Sequence, residues 1–342
     1  MLRIGIIGCG KIAQVRHITE YLNNQNVKIT ALYDVNFQRA STLGEKIGAK
    51  AYDSLDELLS SDIDAVSVCS ANFAHAQNTI AALNAHKHVL CEKPMAVTLE
   101  ECEAMVKAAS DNKCTLMIDQ NQLLARAHVK AKELIEQGVI GKVISFRTIF
   151  GHGGPETWSI DPGLNTWFFD KNKASMGAMA DLGVHKTDLI QYLLSAKVKS
   201  VRAKVCTLDK KYADGSKILV DDNAFCIYEM DNGVIGYMIA SWTFYGGEDN
   251  STVIYGTEGV LHIYEDKDYS IVLNLKNGET VKYQLDAIQT NDNQTSSGII
   301  DAFVDCILGK RENVIDGKDV LHAMKTVFCA IESSKSGKKI EV

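Results

Sequence analysis

One apolar run ends in Glu92–Lys93–Pro94, an acid, a base and one of only three prolines in the chain. A turn needs the proline alone. A lysine that leaves a strand end just before a proline is aimed in a fixed direction, and the neighbouring carboxylate can pair with its amine. At a ligand crevice such a lysine can stabilise developing negative charge. At an ordinary surface the same pair is worth under about 1 kcal/mol. A second constellation lies in "ADLGVHKTDLIQYLL", which reads as a helix with Asp181, His185 and Asp188 on one side. The i, i+4 spacing stacks Asp181 and His185 one turn apart. A carboxylate beside an imidazole raises its basicity and orients the ring, which suits general base catalysis near neutrality. On a solvated face the pair would be a plain contact. No His/Cys/Asp cluster of ligand spacing accompanies it, so no metal is expected.

A third motif, "GCGKIA", follows the opening apolar run. Gly8, Gly10 and Ala13 fit G-x-G-x-x-G/A, with Lys11 and Ile12 between them. The first glycine permits a tight turn, the second lets a pyrophosphate approach the backbone, and the alanine lets a helix pack close to the sheet. The amides and dipole of the helix start then face the phosphates. Asp34 stands 21 residues after Ala13, where an acid meets the ribose hydroxyls of a dinucleotide and repels a 2′-phosphate. The alternative for Asp34 is a helix N-cap. Arg39, one turn into the following helix, could reach a phosphate. NAD is expected in preference to NADP. Ser70 and Asn72, at another strand end, should line the nicotinamide half of the crevice together with Glu92 and Lys93. His75, in the next helical turn, reads as a ligand or, nearly as well, as a capping or surface histidine.

These residues need a scaffold that brings strand ends together. "LRIGIIG", "KITALYD", "DAVSVCS", "HVLCE" and "TLMID" are short apolar runs separated by helical stretches such as "AQVRHITEYLNN", which places Val15, Ile18 and Leu22 on one face. That alternation predicts a doubly wound parallel sheet of the Rossmann kind, with its ligand site at the carboxyl ends of the strands. After residue 120 the texture changes. "VKAKELIEQGVIGKV" reads as a helix closed by Gly138. The stretch 151–177 is irregular and holds His152, Trp158 and Trp167, whose rings could form a platform for a sugar-like ring or simply pack the loop. From 198 to 285 alternating β-type runs predict a large, mainly antiparallel open sheet, with "DNG" at 231–233 turning one hairpin. Two helical segments end the chain. The expected division is a dinucleotide-binding domain over 1–120 and an α+β substrate and oligomerisation domain over 121–342, with the last helices packing back on the first domain.

Bulk properties narrow the class further. The chain has 342 residues, 46% hydrophobic and 23% charged, the balance of a soluble globular protein. A formal net charge of -7 and the absence of a basic run argue against a nucleic-acid partner. No apolar run reaches the ~18 residues of a membrane span. The start lacks signal-peptide anatomy, and nine scattered cysteines without a Cys-x-x-Cys pair suit free thiols, so a cytoplasmic location is expected.

The chain resembles the Gfo/Idh/MocA oxidoreductases, a family named for glucose–fructose oxidoreductase, inositol dehydrogenase and a rhizopine-catabolism protein. The resemblance runs from "IGIIGCGKIA" through "CSANFAHAQNTIAALNAHKHVLCEKPMAVTLEEC" and "GAMADLGVHKTDLIQYLL" to "DAFVDCILGK". It implies that Lys93, Asp181 and His185 form a catalytic trio. A nicotinamide cofactor would then lie over the first sheet, with a sugar, inositol or glycoside oxidised at a secondary alcohol between the two domains. It also implies a homodimer or homotetramer through the second sheet. Two departures stand out: Ser70–Ala71–Asn72 where the family usually has Thr-Pro-Asn, and Leu123 where an arginine is frequent. Gln122 offers a neutral hydrogen-bonding group beside the latter. Two rival readings remain at this point: glycoside cleavage through transient oxidation, and a non-catalytic NAD-sensing regulator.

Overall fold

The computed structural model describes residues 1–288 and 296–342. Its first sheet is built from β1 (Leu2–Ile7), β2 (Val27–Tyr33), β3 (Lys50–Tyr52), β4 (Ala65–Val68), β5 (His88–Cys91) and β6 (Leu116–Ile118). The order is β3-β2-β1-β4-β5-β6, and every pairing is parallel. Parallel strands must be covered on both faces, which is why β4 is buried throughout and β1 over its last four residues. Helices α1 (Ile18–Asn23), α2 (Phe37–Ile47), α3 (Leu55–Leu59), α4 (His75–Asn84) and α5 (Leu99–Asn112) supply the cover. The strand order reverses between β1 and β4. The carboxyl ends of β1, β2, β4 and β5 therefore bring Gly8, Asp34, Ser70 and Lys93 to one edge, the usual ligand crevice of such a sheet. β3, only three residues long, carries too little pattern to be read from the sequence.

The chain then runs through α6 (Arg126–Glu136), β7 (Val143–Gly151), the short α7 (Lys171–Ala174) and α8 (Val184–Leu194). Seven strands follow: β8 (Val198–Cys206), β9 (Asn223–Met230), β10 (Ile235–Ser241), β11 (Thr252–Gly256), β12 (Gly259–Ile263), β13 (Ile271–Leu275) and β14 (Thr280–Tyr283). α9 (Ile299–Ile307), α10 (Gly317–Ser336) and β15 (Ile340–Glu341) close it. The second sheet has nine strands in the order β14-β13-β12-β11-β7-β10-β9-β8-β15. All pairs are antiparallel except β7 with β10. Burial alternates along β9 and β10, so one face packs on helices while the other exposes Phe225, Ile227, Ile235 and Tyr237. Gly233, at φ +85°, turns the β9–β10 hairpin as its sequence predicts. The side chain of Asn24, at the end of α1, meets Asp301 of α9 at 2.6 Å. Asn313 donates to the Leu116 carbonyl of β6 at 3.0 Å, and α10 packs on α5, α8 and β8.

Two helices depart from their sequence pattern. Of the expected Val15–Ile18–Leu22 face of the first helix only Ile18 is buried, while Val15 is half-buried and Leu22 is 60% exposed. A π-helical turn at Ala13–His17 precedes α1, and the extra residue per turn rotates Arg16 and His17 inward instead. A second π-helical turn, Met179–Gly183, precedes α8. α8 is buried on nearly every side, polar residues included, rather than on one apolar face. It is the central helix of the second part, wedged against α6, α10 and β7.

Candidate active site

The glycine loop after β1 fits a dinucleotide. Gly8 has φ +94°, and a Cβ there would lie 2.7 Å from the backbone of Cys69 and Ser70. Only glycine lets β1 and β4 end so close together. Gly10 has no atom within 4 Å of where a Cβ would stand, so the loop backbone is open to a phosphate. Ala13 is fully buried, allowing the close helix contact. Ile12 packs partly against the core, and Lys11 is partly exposed at the helix start. Asp34 accepts from the amide of Cys9 at 2.7 Å and from that of Asn36 at 2.8 Å. Its carboxylate retains lone pairs for a ribose hydroxyl. The N-cap of α2 is Asn36 rather than Asp34. Arg39 lies between two acids, 3.7 Å from Asp34 and 3.7 Å from Asp161.

At the nicotinamide end, Ser70 accepts from the side chain of Asn78 at 3.1 Å. The side-chain amide of Asn72 donates to the carbonyl of Ala174 at 3.0 Å, tying the β4 end to α7. His75 is neither a cap nor a surface residue. It is buried, with Nδ1 2.7 Å from the Pro94 carbonyl and Nε2 2.9 Å from that of Ser70. Burial lowers its pKa. The neutral ring carries one N–H, so it donates to one of these two carbonyls, at the end of β4 or at the turn after β5. The Lys93–Pro94 peptide is cis.

The ammonium of Lys93 does not pair with Glu92. It donates to both the side chain and the backbone carbonyl of Asp181, each at 2.8 Å. Glu92 points the other way, into the protein. One oxygen accepts from the backbone amide of Lys93 at 3.1 Å. The other meets Arg16 and, at 3.0 Å, His17. Asp119, at the end of β6, closes the group, 2.6 Å from Arg16 and 3.2 Å from His17. Burial would raise the Glu92 carboxyl, but Arg16 and then His17 hold it well below the usual carboxylate range. Burial would likewise lower His17, yet Cys69, Asp119 and Glu92 together raise it well above the usual imidazole value. Arg16, His17 and Asp119 had no signal in the sequence, because residues 75 to 103 positions apart form the group.

Asp181 likewise faces Lys93 rather than His185. Its second oxygen accepts from the indole Nε1 of the buried Trp242 at 3.0 Å and lies 3.7 Å from Nε2 of His152. No hydrogen bond joins Asp181 to His185 among the described residues. The cause is the π-helical turn at Met179–Gly183, which breaks the simple i, i+4 stack. Burial would raise the Asp181 carboxyl, but Lys93 and then His152 pull it well below the ordinary range. Burial and then the charge of Lys93 push the pKa of His185 well below its usual value, leaving a neutral ring. Its Nδ1 is buried without a protein hydrogen-bond partner. Asp188 is one turn beyond and apart from this cluster, near Lys197 and Asp319.

Three of the proposed substrate-side residues, His152, Trp158 and Trp167, gather at the same place. Nδ1 of His152 accepts from the amide of Gly154 at 3.0 Å, which puts the ring proton on Nε2, facing Asp181. The rings of His152 and Trp158 lie 6.2 Å apart, Trp158 and Phe168 5.2 Å, and Trp167 stacks on Phe168 at 3.9 Å. The tryptophans thus form one aromatic wall that also reaches Trp242 through Phe168. Gln122 is buried, and its Oε1 has no protein partner. Leu123 beside it is buried and apolar.

Comparison with known proteins agrees with the fold. Residues 2–120 match the profile of an oxidoreductase family with an NAD-binding Rossmann fold, and residues 128–262 match the GFO/IDH/MocA C-terminal domain. A glucose-6-phosphate 3-dehydrogenase of Bacillus subtilis (strain 168) is 34% identical over 245 residues, covering 70% of this chain and 68% of that protein. A myo-inositol 2-dehydrogenase of Thermotoga maritima is 28% identical over 289 residues, covering 81% and 80%. Among solved structures, a levoglucosan dehydrogenase in complex with NADH and levoglucosan shares the fold. Its TM-score is 0.86 at 24% identity, and the match covers 100% of this chain and 99% of that one.

Proposed function

The chain belongs to the Gfo/Idh/MocA family of NAD-binding oxidoreductases, and from that premise we propose that it oxidises a secondary alcohol on a sugar, inositol or glycoside ring. The observation that carries the proposal is the Lys93–Asp181 pair set beside a neutral, buried His185 at the carboxyl edge of the first sheet.

The roles follow from donor counting. Lys93 has three N–H donors, and two are spent on Asp181. The third is free to hold the substrate oxygen as negative charge gathers on it. His185 is uncharged, so its ring is able to receive the hydroxyl proton. Asp181 steadies the lysine rather than the imidazole. Trp242 and His152 complete its coordination, so the carboxylate has little freedom to turn. When bound, the nicotinamide ring supplies the hydride acceptor. Gly8, Gly10, Ala13, Asp34 and Ser70 would hold the cofactor. The aromatic wall of Trp158 and Trp167, with His152 and Gln122, would face the ring substrate.

The division at residues 120/121, a cytoplasmic location and self-association belong to the same reading. Nine free cysteines and the apolar outer face of β9 and β10 support the last two. Among the described residues no helix is long and apolar enough to cross a membrane. The test is absorbance of reduced nicotinamide on mixing the protein with NAD and a panel of inositols, aldoses and glucosides. A rate with at least one ring is expected. Silence across the panel with NAD bound would overturn the proposal.

A further inference from the structure

Buried ion groups are costly, and apolar replacements of similar volume are often as stable. The Arg16–His17–Glu92–Asp119 group is therefore poorly explained as a stabilising device. All four residues are buried, with His17 and Asp119 at 0% exposure. Its placement is more telling. Arg16 and His17 sit in the π-helical turn that leaves the glycine loop. Asp119 ends β6, and its amide donates to the Cys91 carbonyl at 2.8 Å. Glu92 is the last fixed point before Lys93, and it holds the backbone amide of Lys93 itself. Behind His17, Nδ1 lies 3.2 Å from the hydroxyl of Ser67, which in turn lies 2.9 Å from that of Tyr21. On the far side of the same turn, Nδ1 of His75 lies 2.7 Å from the Pro94 carbonyl.

We infer that Glu92, Arg16 and His17 are positioning residues that lock the Lys93 turn to the glycine loop, so that the segment cradling the dinucleotide phosphates also sets the direction of the lysine. All three are buried, Arg16 at 4%, His17 at 0% and Glu92 at 5% exposure. Glu92, expected from the sequence beside the nicotinamide, acts through the backbone of its neighbour. The three acidic and imidazole ligand atoms of this group lie close enough to suggest a metal. The Arg16 guanidinium already stands between the carboxylates and takes that place.

The test compares Glu92→Gln with a control at the edge of the group, Tyr21→Phe. Two readouts need no turnover: hydrogen exchange at the Lys93 amide, and the rate of reductive methylation of Lys93 read by peptide mass spectrometry. Loss of a charge-assisted acceptor should speed exchange at Lys93 about tenfold. It should change the methylation rate about fivefold or more, while Tyr21→Phe moves neither. On the ring substrate, kcat should fall about tenfold or more, with the NADH dissociation constant within about threefold. The turnover arm rests on the proposed role of Lys93. The exchange and methylation arms stand without it, so the two readings can fail separately. If Glu92→Gln does not fold, His17→Gln, which removes one tie, should shift both readouts in the same direction. Unchanged exchange and methylation in a folded variant, or an equal shift in Tyr21→Phe, would overturn the inference.

Discussion

Asp188 gives a perturbation whose size can be worked from its surroundings. The side chain is buried on α8, and its Oδ2 has no protein partner. Gln191, one turn on, turns its Oε1 to Nδ1 of His322 at 2.7 Å and leaves its own Nε2 without a partner. Burial dominates and pushes the carboxyl from 3.8 up to about 7, with Lys197 opposing and Asp319 adding to the shift. Three pKa units correspond to about 4 kcal/mol. The folded pKa is raised, so the folded chain binds this proton more tightly than the unfolded chain does. The favourable contribution is complete below the unfolded value of 3.8 and is lost as pH rises to about 7. Asparagine keeps the shape and does not titrate. Asp188→Asn should therefore be more stable than the parent by about 2–4 kcal/mol at pH 8, with the gain shrinking toward zero near pH 4. Urea denaturation of both proteins across that range gives the difference directly, because other titrating groups cancel. A difference independent of pH, or a variant less stable at pH 8, would refute the reasoning. It would mean that Lys197 holds Asp188 as an ordinary carboxylate.

The cofactor loop and the imidazole offer two further expectations. Gly10→Ala places a methyl group in open space, so thermal stability should hold while NADH affinity falls about tenfold or more, because the phosphate loses its close approach. Gly8→Ala, pressed against Cys69 and Ser70 at positive φ, should lose stability as well. Calorimetric titration and thermal melts of the two variants separate these effects. His185, lowered by burial and by Lys93, must lose its proton before it can accept one. The acid limb of kcat/KM should thus lie below the ordinary imidazole value of 6.5, with a plateau above it. A limb centred above 6.5 would contradict the assignment.

Much of the fold was legible because its signals are local. Short apolar runs alternating with helices specify a parallel sheet, and the glycine spacing after β1 marks its ligand edge. The glycine loop and Asp34 stand out for the same reason, whereas the roles expected of Lys93, Asp181 and His185 lean on the family resemblance. What the sequence hid is long-range or depends on local winding. Arg16 and His17 look like the solvent side of an amphipathic helix until a π-helical turn rotates them inward. Trp242 meets Asp181 across 61 residues of chain. The same effect misdirected two side-chain pairings. Glu92 and Lys93 are neighbours in sequence but point to opposite sides of the turn, and Asp181 serves Lys93 rather than the histidine one turn away. Sequence spacing identifies which residues share an element. It does not fix which partner wins when several buried charges compete.

The central claim is that the Lys93 ammonium, steadied by Asp181, holds the oxygen of a ring alcohol during oxidation by NAD. Lys93→Met keeps the length of the side chain and removes every donor. The decisive measurement is turnover of this variant on the ring that the parent oxidises, alongside calorimetric titration with NADH. NADH binding near that of the parent with turnover lost by about 10³-fold or more is the expected result. Turnover close to that of the parent, in a protein that binds NADH normally, would contradict the account.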